Sequence, residues 1–456
     1  MSEEGLRAAV QKMREEGVAD AAINAFEHYY RQLEAGETGL LPEGSIEPVS
    51  DLPHLDDLPA DADAEHEALG KAIVLRLNGG LGTSMGLTGA KSLLEAKDGL
   101  SFLDIIARQV LALRARHDCE LPLVLMDSFS TRDDSVAALR DYADLDIGLP
   151  LDFLQNKEPK LLVEDLTPVE WPDNPALEWC PPGHGDLYTA LVTSGMLADL
   201  LERGFEYAFV ANSDNLGAVL EPRILTWLRA NDIPFAMEVT ERTEADRKGG
   251  HLARRIEDGR LVLRETAQTP DEDKEALQDL GKHRYANTNN LWVSLRALDA
   301  AMREREGVLG LPMIRNQKTV DPGDKASPEV FQIETAMGAA IEVFEGARAL
   351  VVPRTRFAPV KTTDDLLALR SDAYRLTDDS RVELVRENVP IVTLDPDYYK
   401  LMRDFDARFP EGPVSLAEAD RFEVEGDVTF GANVVARGSV KVEGPATVDD
   451  GTVLEG

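Results

Sequence analysis

The sequence predicts an α/β protein with a mostly parallel sheet. From residue 71 onwards, short apolar runs alternate with stretches of helical periodicity, an alternation typical of parallel sheets covered by helices. The first apolar run, Ala72–Leu77, leads directly into a glycine-rich loop. Ligands bind beyond the carboxyl ends of the strands in such sheets, so we expect a binding site at this edge.

The predicted elements follow in chain order. In the acidic residues 1–70, Leu6, Val10 and Met13, and later Phe26 and Tyr29, recur at helical spacing. They predict one or two amphipathic helices before a proline- and aspartate-rich connector over residues 41–64. Strands are predicted over Ala72–Leu77, Pro122–Met126, Tyr207–Ala211, Pro234–Val239 and Asn290–Val293. Helices are predicted over Ser101–Leu113, which opens with a Ser-x-x-Asp capping box, Asp186–Leu201, Phe331–Ile341 and Leu366–Leu369.

The C-terminal tail has a different period. Phe422, Val428, Val434 and Val440 fall at intervals of six, with glycines between them. A hexapeptide period is typical of a β-helix, and a plain pair of hairpins is the alternative. Four regions are therefore expected: a helical region with a linker over 1–70, the α/β domain over 71–375, a connector over 376–420 and a β-helix over 421–456. The tail is compatible with a homo-oligomer formed through the β-helix.

Composition excludes some classes of partner. Lys and Arg number 48 against 84 Asp and Glu, which gives a net charge of −36. Nucleic acids and anionic membranes bind through basic surfaces, so neither is expected as a partner, and a pocket for phosphate must supply its own cations. Two cysteines give no disulfide framework, and no leader or membrane-spanning run is recognisable. We expect a cytoplasmic protein.

The glycine-rich loop predicts a ligand that carries phosphate. It begins at Asn78-Gly79-Gly80 and ends at Lys91. Glycines let backbone N–H groups surround an anion, and the lysine adds a positive charge. Ala90 stands where a Walker A loop needs glycine, and Met85 stands where the dinucleotide fingerprint needs its last glycine. The ligand therefore belongs to another class.

Two further segments predict groups that bind phosphate and metal. His184 lies between glycines in Pro181–Asp186, before a predicted helix whose N-terminus would attract an anion; a tight turn is the alternative. Asn212-Ser213-Asp214-Asn215 follows the strand Tyr207–Ala211. Mg²⁺ is usually held by one or two carboxylates and the substrate phosphates, so Asp214 is a candidate ligand. An Asx turn is the alternative reading.

Two more segments complete the predicted chemistry. Lys361 precedes Thr362 and the helical Leu366–Leu369. A lysine at a helix N-terminus is unfavourable unless an anion binds beside it, or unless it pairs with the neighbouring aspartates. Asn287–Asn290 places amides at the entrance of a strand, where they could bind sugar hydroxyls or form an ordinary turn. Magnesium, two lysines and a phosphate-binding loop suffice for phosphoryl-type transfer without a protein nucleophile.

Six segments together resemble one family. In order, NGGLGTSMG with the later KS, PPGHGD, NSDNLGA, NTNNLW, FQIETAMGAAI and FAPVKTTDDLL are similar to the eukaryotic-type UTP–glucose-1-phosphate uridylyltransferases, over roughly residues 71–374. The resemblance implies a Rossmann-like nucleotidyltransferase core, a short C-terminal left-handed β-helix and Mg²⁺ as cofactor. The implied reaction makes UDP-glucose and pyrophosphate by in-line attack of glucose 1-phosphate on the α-phosphorus of UTP.

The resemblance also implies roles for individual residues. Lys91 and Lys361 would be catalytic, Lys91 on the phosphates of UTP and Lys361 where pyrophosphate departs, and Asp214 would hold the metal. The implied UTP-binding residues are Leu77, Asn78, Gly79, Gly80, Lys91, Met126, Gln155, Gly183, Asp214 and Lys361. The implied glucose-1-phosphate-binding residues are Gly79, Gly80, His184, Asn212, Ser213, Asp214, Glu265, Asn289 and Asn290.

The chain departs from the family pattern at a few positions. Ala90 replaces a proline before the loop lysine, Asn156-Lys157-Glu158 replaces a basic-aromatic stretch, and Cys180 replaces an aromatic residue. Two alternative functions stay open. One is a pyrophosphorylase for another sugar 1-phosphate or for several, which His184 disfavours. The other is a non-catalytic sugar-nucleotide sensor, which the presence of Lys91, Asp214 and Lys361 disfavours.

Overall fold

Helices and strands alternate along most of the chain in the computed structural model, which describes residues 2–247 and 249–456. The helices are α1 Ser2–Glu15, α2 Asp20–Glu34, α3 Ala62–Leu69, α4 Phe102–His117, α5 Arg132–Leu139, α6 Leu187–Thr193, α7 Met196–Glu202, α8 Pro222–Ala230, α9 Lys274–Leu277, α10 Leu295–Glu304, α11 Thr363–Arg370, α12 Pro396–Tyr399 and α13 Met402–Arg408. Among the described residues, no helix combines the length and the apolar character needed to span a bilayer.

The strands are short except for a few in the sheet centres and the tail. They are β1 Ile46–Glu47, β2 Ala72–Leu77, β3 Glu95–Lys97, β4 Leu100–Ser101, β5 Leu123–Asp127, β6 Asp152–Leu154, β7 Glu158–Pro159, β8 Leu161–Leu162, β9 Trp179–Cys180, β10 Tyr207–Asn212, β11 Phe235–Glu241, β12 His251–Arg255, β13 Leu261–Arg264, β14 Tyr285–Ser294, β15 Met313–Thr319, β16 Glu329–Thr335, β17 Arg348–Val351, β18 Tyr374–Leu376, β19 Val382–Leu384, β20 Ile391–Leu394, β21 Ser415–Glu425, β22 Val428–Phe430, β23 Val435–Glu443, β24 Ala446–Val448 and β25 Val453–Glu455.

The chain divides into two units, each made of segments that are distant in sequence. Unit 1 comprises Met1–Leu75, Phe153–Val210 and Glu221–Val352. Unit 2 comprises Arg76–Asp152, Ala211–Leu220 and Pro353–Gly456. The boundaries fall inside β2 and β10, so the last residues of these two strands, and the loops that follow them, belong to unit 2.

The main sheet of unit 1 is mixed. Strand β14 runs antiparallel to β10, β11 and β12, whereas β11 and β17 are parallel. The α/β class predicted from the sequence is confirmed, but the antiparallel pairs depart from the mostly parallel sheet that was expected. The strands β12 and β13 are a further antiparallel pair, because a connection as short as theirs can join only antiparallel neighbours. Trp292 of β14 is fully buried and packs on Phe209, with ring centroids 4.7 Å apart.

The predicted N-terminal helices are present as α1 and α2 in unit 1. Their apolar faces bury Met13, Phe26 and Tyr30 against Leu161 and Ile333 of β8 and β16. The spacing noted in the sequence therefore corresponds to the buried side of each helix, as an amphipathic pattern requires. This packing covers a small cavity in unit 1 that is described below.

Unit 2 contains the predicted capping box and the tail. Ser101 Oγ accepts a hydrogen bond from the Asp104 N–H at 3.1 Å, and the Asp104 carboxylate accepts from the Ser101 N–H at 2.9 Å. In the tail, β20, β21, β23 and β25 form one parallel sheet, and β22 pairs with β24 in parallel. Phe422 pairs with Val440 and Val428 with Ala446, so these partners are 18 residues apart, whereas β20 pairs with β21 across 30 residues, as Ile391 with Arg421.

Two predicted helices differ in the structure. The helix expected over Asp186–Leu201 is divided into α6 and α7 at Gly195, whose φ of +80° favours glycine and ends the regular hydrogen bonding. The helix expected over Phe331–Ile341 is wrong: its first part is the strand β16, and Met337–Glu342 is a 3₁₀ helix. The pairing of β16 with β15 overrides the local helical spacing, because strand pairing buries Val330 and Ile333.

Candidate active site

The predicted site residues fall into two groups, one in each unit. Unit 2 contains Leu77, Asn78, Gly79, Gly80, Lys91, Met126, Asn212, Ser213, Asp214 and Lys361. Unit 1 contains Gln155, Gly183, His184, Glu265, Asn289 and Asn290. The lysines and the candidate metal ligand thus belong to one group, and most of the uncharged hydrogen-bonding side chains belong to the other.

In unit 2, backbone hydrogen bonds anchor the glycine-rich loop. The Asn78 N–H donates to the Met126 carbonyl at 2.8 Å, and the Ser213 N–H donates to the Leu77 carbonyl at 3.1 Å. The Lys91 N–H closes the loop on the Gly80 carbonyl at 3.0 Å. These bonds bring six of the predicted residues together in three pairs. A Cβ added at Gly80 would meet no atom within 4 Å, so the loop backbone is open to an incoming ligand there.

Lys91 and Asp214 form an ion pair. The Lys91 Nζ lies 2.7 Å from Asp214 Oδ2 and also donates to the Val360 carbonyl. Both side chains are mostly buried, with exposed fractions of 16% and 22%. The Val360 N–H donates to the Asp214 carbonyl at 3.1 Å, which ties the segment before Lys361 to the same place.

The second oxygen of Asp214 is suited to a metal. Asp214 Oδ1 is buried and has no hydrogen-bond partner. An orphaned carboxylate oxygen is a ligand that Mg²⁺ accepts, with the remaining positions left to phosphate oxygens and water. Among the described residues, no group of three or more His, Cys, Asp or Glu side chains is arranged to hold a metal. Asp214 therefore fits Mg²⁺ only together with a phosphate-bearing ligand.

Lys361 lies at the start of α11 and is exposed. The Asp365 side chain caps the N-terminus of the helix. Its Oδ2 accepts hydrogen bonds from the backbone N–H groups of Lys361 and Thr362, at 2.8 and 2.9 Å. Asp364 accepts from the Leu394 N–H at 3.1 Å. The alternative in which the lysine pairs with the neighbouring aspartates is wrong in this structure, and the ammonium group remains available to an anion.

A buried polar network holds the Asn78 side chain, and it was not predicted from the sequence. Asn78 Nδ2 donates to Asp127 Oδ1 and to Ser135 Oγ, both at 2.7 Å, and Thr131 Oγ1 donates to the same Asp127 oxygen at 3.0 Å. Asp127 is fully buried and its Oδ2 has no partner. Burial raises the pKa of Asp127 to about 6, although the hydrogen bonds from Asn78 and Thr131 oppose this. The only sequence signal was the position of Asp127 directly after Met126.

In unit 1, Gly183 and His184 are held by the segment that follows β16. Gly183 has a φ of +79°, and a Cβ there would lie 2.6 Å from the Thr335 carbonyl oxygen, so this position requires glycine. The Met337 N–H donates to His184 Nδ1 at 3.0 Å. That nitrogen must be unprotonated, so a neutral ring carries its proton on Nε2 and can donate from it.

The protonation state of His184 follows from the same contact. Surrounding protein atoms lower its pKa to about 4, although the residue remains exposed at the surface. The hydrogen bond from Met337 by itself requires a lone pair on Nδ1, so it supports the neutral ring more strongly than burial does. At neutral pH, His184 is therefore a neutral hydrogen-bond donor and carries no charge.

Asn290 lies in the interior of β14 and not at the strand entrance where it was expected. It is fully buried, and its Nδ2 donates to Glu238 Oε2 at 3.0 Å. The indole N–H of Trp292 donates to the other Glu238 oxygen, also at 3.0 Å. Asn289 has a φ of +58° and exchanges two hydrogen bonds with Asn287. Glu238, a carboxylate inside an apolar strand, therefore orients Asn290 and was missed in the sequence.

Glu265 and Gln155 complete the group in unit 1. Glu265 begins a 3₁₀ turn in which its N–H donates to Gln268 Oε1 at 3.0 Å. Its carboxylate packs on Gly250, where a Cβ would lie 2.4 Å from Oε2. Gln155 follows β6 and is half-buried; its neighbour Asn156 is bound by Asp186, another residue that the sequence did not single out for binding.

Comparison with known proteins identifies the family of the chain. A sequence model of the UTP–glucose-1-phosphate uridylyltransferase family matches residues 23–437. The enzyme of that name from Hordeum vulgare is 40% identical over 99% of this chain and 95% of its own length. The one from Solanum tuberosum is 42% identical over 90% of this chain and 84% of its own.

Solved structures give the same result. UDP-glucose pyrophosphorylase from Leishmania major is 46% identical, with a TM-score of 0.93 over 99% of this chain and 98% of that one. A variant of the Leishmania major protein was solved in complex with UDP-glucose. A UDP-glucose phosphorylase structure from Trypanosoma brucei is 43% identical, with a TM-score of 0.91 and coverage of 99% and 98%. The chain belongs to the UTP–glucose-1-phosphate uridylyltransferase family.

Proposed function

We propose that this protein makes UDP-glucose and pyrophosphate from UTP and glucose 1-phosphate. The observation that carries the proposal is the Lys91–Asp214 pair at the end of the glycine-rich loop, with the Asp214 Oδ1 left for a metal. A cation and a metal-binding carboxylate beside an open backbone loop are what transfer between phosphates requires, because the chemistry depends on positioning and on charge stabilisation. The family membership supports the choice of substrates.

The proposed reaction is a single in-line displacement. An anionic oxygen of the glucose 1-phosphate attacks the α-phosphorus of UTP, a new P–O bond forms, and the bond to the β-phosphate oxygen breaks as pyrophosphate leaves with the electron pair. No protein nucleophile is needed. Bound Mg²⁺ would supply positive charge to the phosphates, and Asp214 would hold it.

The chain's own groups have separate proposed roles. Lys91 would neutralise charge on the phosphates of UTP, and Lys361 would stabilise the charge that builds on the departing pyrophosphate. The backbone of residues 77–80 would approach the nucleotide closely. His184, as a neutral donor at Nε2, would bind the sugar phosphate, while Glu265 and Asn290 would contact glucose hydroxyls. Met126, Gln155 and Gly183 would contact the uridine side.

Four finer points belong to the proposal. The cofactor would be Mg²⁺, and the compartment would be the cytoplasm. The last parallel tail strands, where Phe422 pairs with Val440 and Val428 with Ala446, 18 residues apart, are compatible with three hexapeptides per turn of a left-handed β-helix. A homo-oligomer would form through that β-helix.

The experiment mixes the purified protein with UTP, Mg²⁺ and glucose 1-phosphate and follows release of pyrophosphate. Parallel reactions replace the sugar by N-acetylglucosamine 1-phosphate or galactose 1-phosphate, or UTP by ATP or dTTP. Release only with UTP and glucose 1-phosphate is the expected result. Release with several sugars would favour a broad-specificity pyrophosphorylase, and no release in any reaction would contradict the proposal and favour a sensor.

A further inference from the structure

Asp186 binds Asn156 through both carboxylate oxygens. The Asn156 N–H donates to Asp186 Oδ2 at 2.6 Å, and Asn156 Nδ2 donates to Asp186 Oδ1 at 2.8 Å. The remaining polar atom of the amide, Asn156 Oδ1, accepts from Thr193 Oγ1 at 3.3 Å. Asp186 is 5% exposed. Hydrogen bonds to a buried carboxylate are among the stronger ones in proteins, so this two-bond contact fixes the backbone at residue 156.

The contact joins two segments that carry predicted substrate-binding residues. Asn156 is the neighbour of Gln155, and Asp186 lies two residues after His184. The Asp186 end is itself rigid. The Asp186 N–H donates to the Gly183 carbonyl at 3.2 Å, and the Thr335 N–H donates to the Pro182 carbonyl at 3.0 Å. The segment of Gln155 is therefore attached through one carboxylate to a loop that is already held in place.

The contact is strongest with an ionised carboxylate. Both oxygens accept hydrogen bonds, so protonation of either one would place an O–H beside an N–H donor and weaken one of the two bonds. Burial raises the pKa of Asp186 to about 6, against the lowering effect of the two hydrogen bonds from Asn156. The contact would then be complete above pH 7 and incomplete well below pH 6.

Other titratable groups line the same cavity as Asp186. Asp186 lines a cavity of about 30 Å³ in unit 1, together with Tyr29 of α2, Lys157 and Glu158 beside β7, and Glu334 of β16. Glu158 is buried and its Oε1 has no hydrogen-bond partner. The one cation of this group, Lys157, is directed to Glu16, at 2.6 Å, and to the ring of Trp179. Two further carboxyl groups thus line the cavity with Asp186, and burial raises the pKa of one of them, Glu158.

We propose that Asp186 is a positioning residue for UTP, which holds the Gln155 segment in its binding conformation through a contact that is strongest when the carboxylate is ionised. The inference rests on the proposed function, since Gln155 is assigned to the uridine side there. Asp186 need not touch either substrate. Its loss should therefore weaken UTP binding more than it lowers turnover at saturation.

The test compares wild type with Asp186→Asn and Asn156→Ala between pH 5 and pH 8. An asparagine at 186 has one acceptor oxygen and imitates the protonated acid. We expect the KM for UTP of Asp186→Asn to be about tenfold that of wild type at pH 8, with kcat changed by less than about threefold. The ratio of the two KM values should fall towards one at pH 5, and titration of UTP itself cancels in this ratio.

The other variants identify the contact as the cause. Asn156→Ala removes one of the two bonds and should raise the KM for UTP less than Asp186→Asn, and the double variant should be no worse than Asp186→Asn alone. Asp186→Glu keeps two acceptor oxygens and should recover part of the affinity at pH 8. Asp165→Asn is the matched control, because among the described residues Asp165 accepts hydrogen bonds only from Thr167, two positions along the chain; it should leave every constant unchanged.

The possible failures can be told apart. A wild-type protein that releases no pyrophosphate would contradict the proposed function. A wild-type protein that is active, with Asp186→Asn equal to it in KM at pH 8 or with a KM ratio independent of pH, would overturn the inference about Asp186. Should Asp186→Asn not fold, as its thermal unfolding would report, Asn156→Ala decides: an unchanged KM for UTP in that variant would overturn the inference as well.

Discussion

The two groups of predicted site residues differ in how their polar atoms are satisfied. In unit 2, Lys91 and Asp214 carry full charges and pair with each other, and the Lys361 ammonium group makes no ion pair among the described residues. In unit 1, His184 is neutral and the buried amide of Asn290 is fixed by Glu238. The cations and the candidate metal ligand are thus in unit 2, and Glu265 is the one charged member of the predicted group in unit 1.

This difference indicates a division of labour. Charged groups stabilise a transition state in which negative charge moves between phosphates, whereas oriented neutral donors and acceptors discriminate between substrates. Substitutions in unit 2 should therefore lower kcat, and substitutions in unit 1 should mainly change KM. The predictions below test this contrast, beginning with the largest expected effect.

Replacement of Lys91 by Met should have the largest effect. The change removes the cation from the phosphates and leaves Asp214 without its partner at 2.7 Å. We expect kcat/KM for UTP to fall by about 10² to 10³-fold, the usual loss for one charge-stabilising donor. The measurement is steady-state pyrophosphate release at pH 8.

The matched control for this variant is Lys441→Met in the tail. Lys441 is exposed and pairs with Glu425 at 2.9 Å, far along the chain from every predicted site residue. It should leave kcat/KM unchanged. A loss smaller than about threefold in Lys91→Met would contradict both its proposed role and the division of labour.

Replacement of Lys361 by Ala should lower kcat by about 10 to 10²-fold with little change in the KM for UTP. Charge on the pyrophosphate develops only as the bond breaks, so the lysine would stabilise the transition state more than bound UTP. The helix α11 should survive, since the Asp365 carboxylate accepts from backbone N–H groups that the variant keeps. Near-normal turnover would eliminate the proposed role of Lys361.

The sequence predicted local features well. The strand β2 and the capping box at Ser101 and Asp104 are present at the predicted positions, because both depend on residues that are close together in the chain. The lysines and Asp214 were also named from the sequence, and the structure brings Lys91 and Asp214 into contact. These residues lie in short motifs whose backbone conformation is set by glycines and strand ends.

What the sequence could not supply is the set of partners that orient these residues. Asp127 contacts Asn78 across 49 residues and Glu238 contacts Asn290 across 52, distances at which no local pattern operates. The helix predicted over Phe331–Ile341 failed for a related reason. Its periodicity was that of a helix, but pairing with β15 determined the outcome.

In unit 1, replacement of His184 by Ala should raise the KM for glucose 1-phosphate by about tenfold, roughly the value of one hydrogen bond to a charged group. The expected fall in kcat is smaller than for either lysine. His184→Gln retains an N–H donor and should recover part of the affinity. Because the ring is already neutral at pH 7, this KM should show no step due to His184 between pH 6 and pH 8. A kcat loss as large as that of Lys361→Ala would contradict the contrast between the units.

The smallest effect concerns stability and not catalysis. Asp127→Asn in unit 2 should stabilise the protein at pH 8 by about 1 kcal/mol. The folded-state pKa of Asp127, about 6, lies above its ordinary value of 3.8. A carboxyl group whose pKa is raised on folding destabilises the folded state when it is charged, so this cost is complete above the folded-state pKa. The cost disappears as the pH falls towards the pKa of the unfolded state. Asparagine removes that cost while its Oδ1 still accepts from Asn78 and Thr131, and the buried Nδ2 that replaces the unpartnered Oδ2 offsets part of the gain.

The stabilisation by Asp127→Asn should therefore increase with pH. Calorimetric Tm values should show the variant above wild type at pH 8, with the difference shrinking as the pH is lowered to 4. A network that needs the charge on Asp127 would give the opposite sign, with the variant below wild type at pH 8. Asp127 uses one oxygen for both of its donors, and its other oxygen has no hydrogen-bond partner. The Tm series on Asp127→Asn and wild type thus measures whether the charge on this buried carboxylate is dispensable.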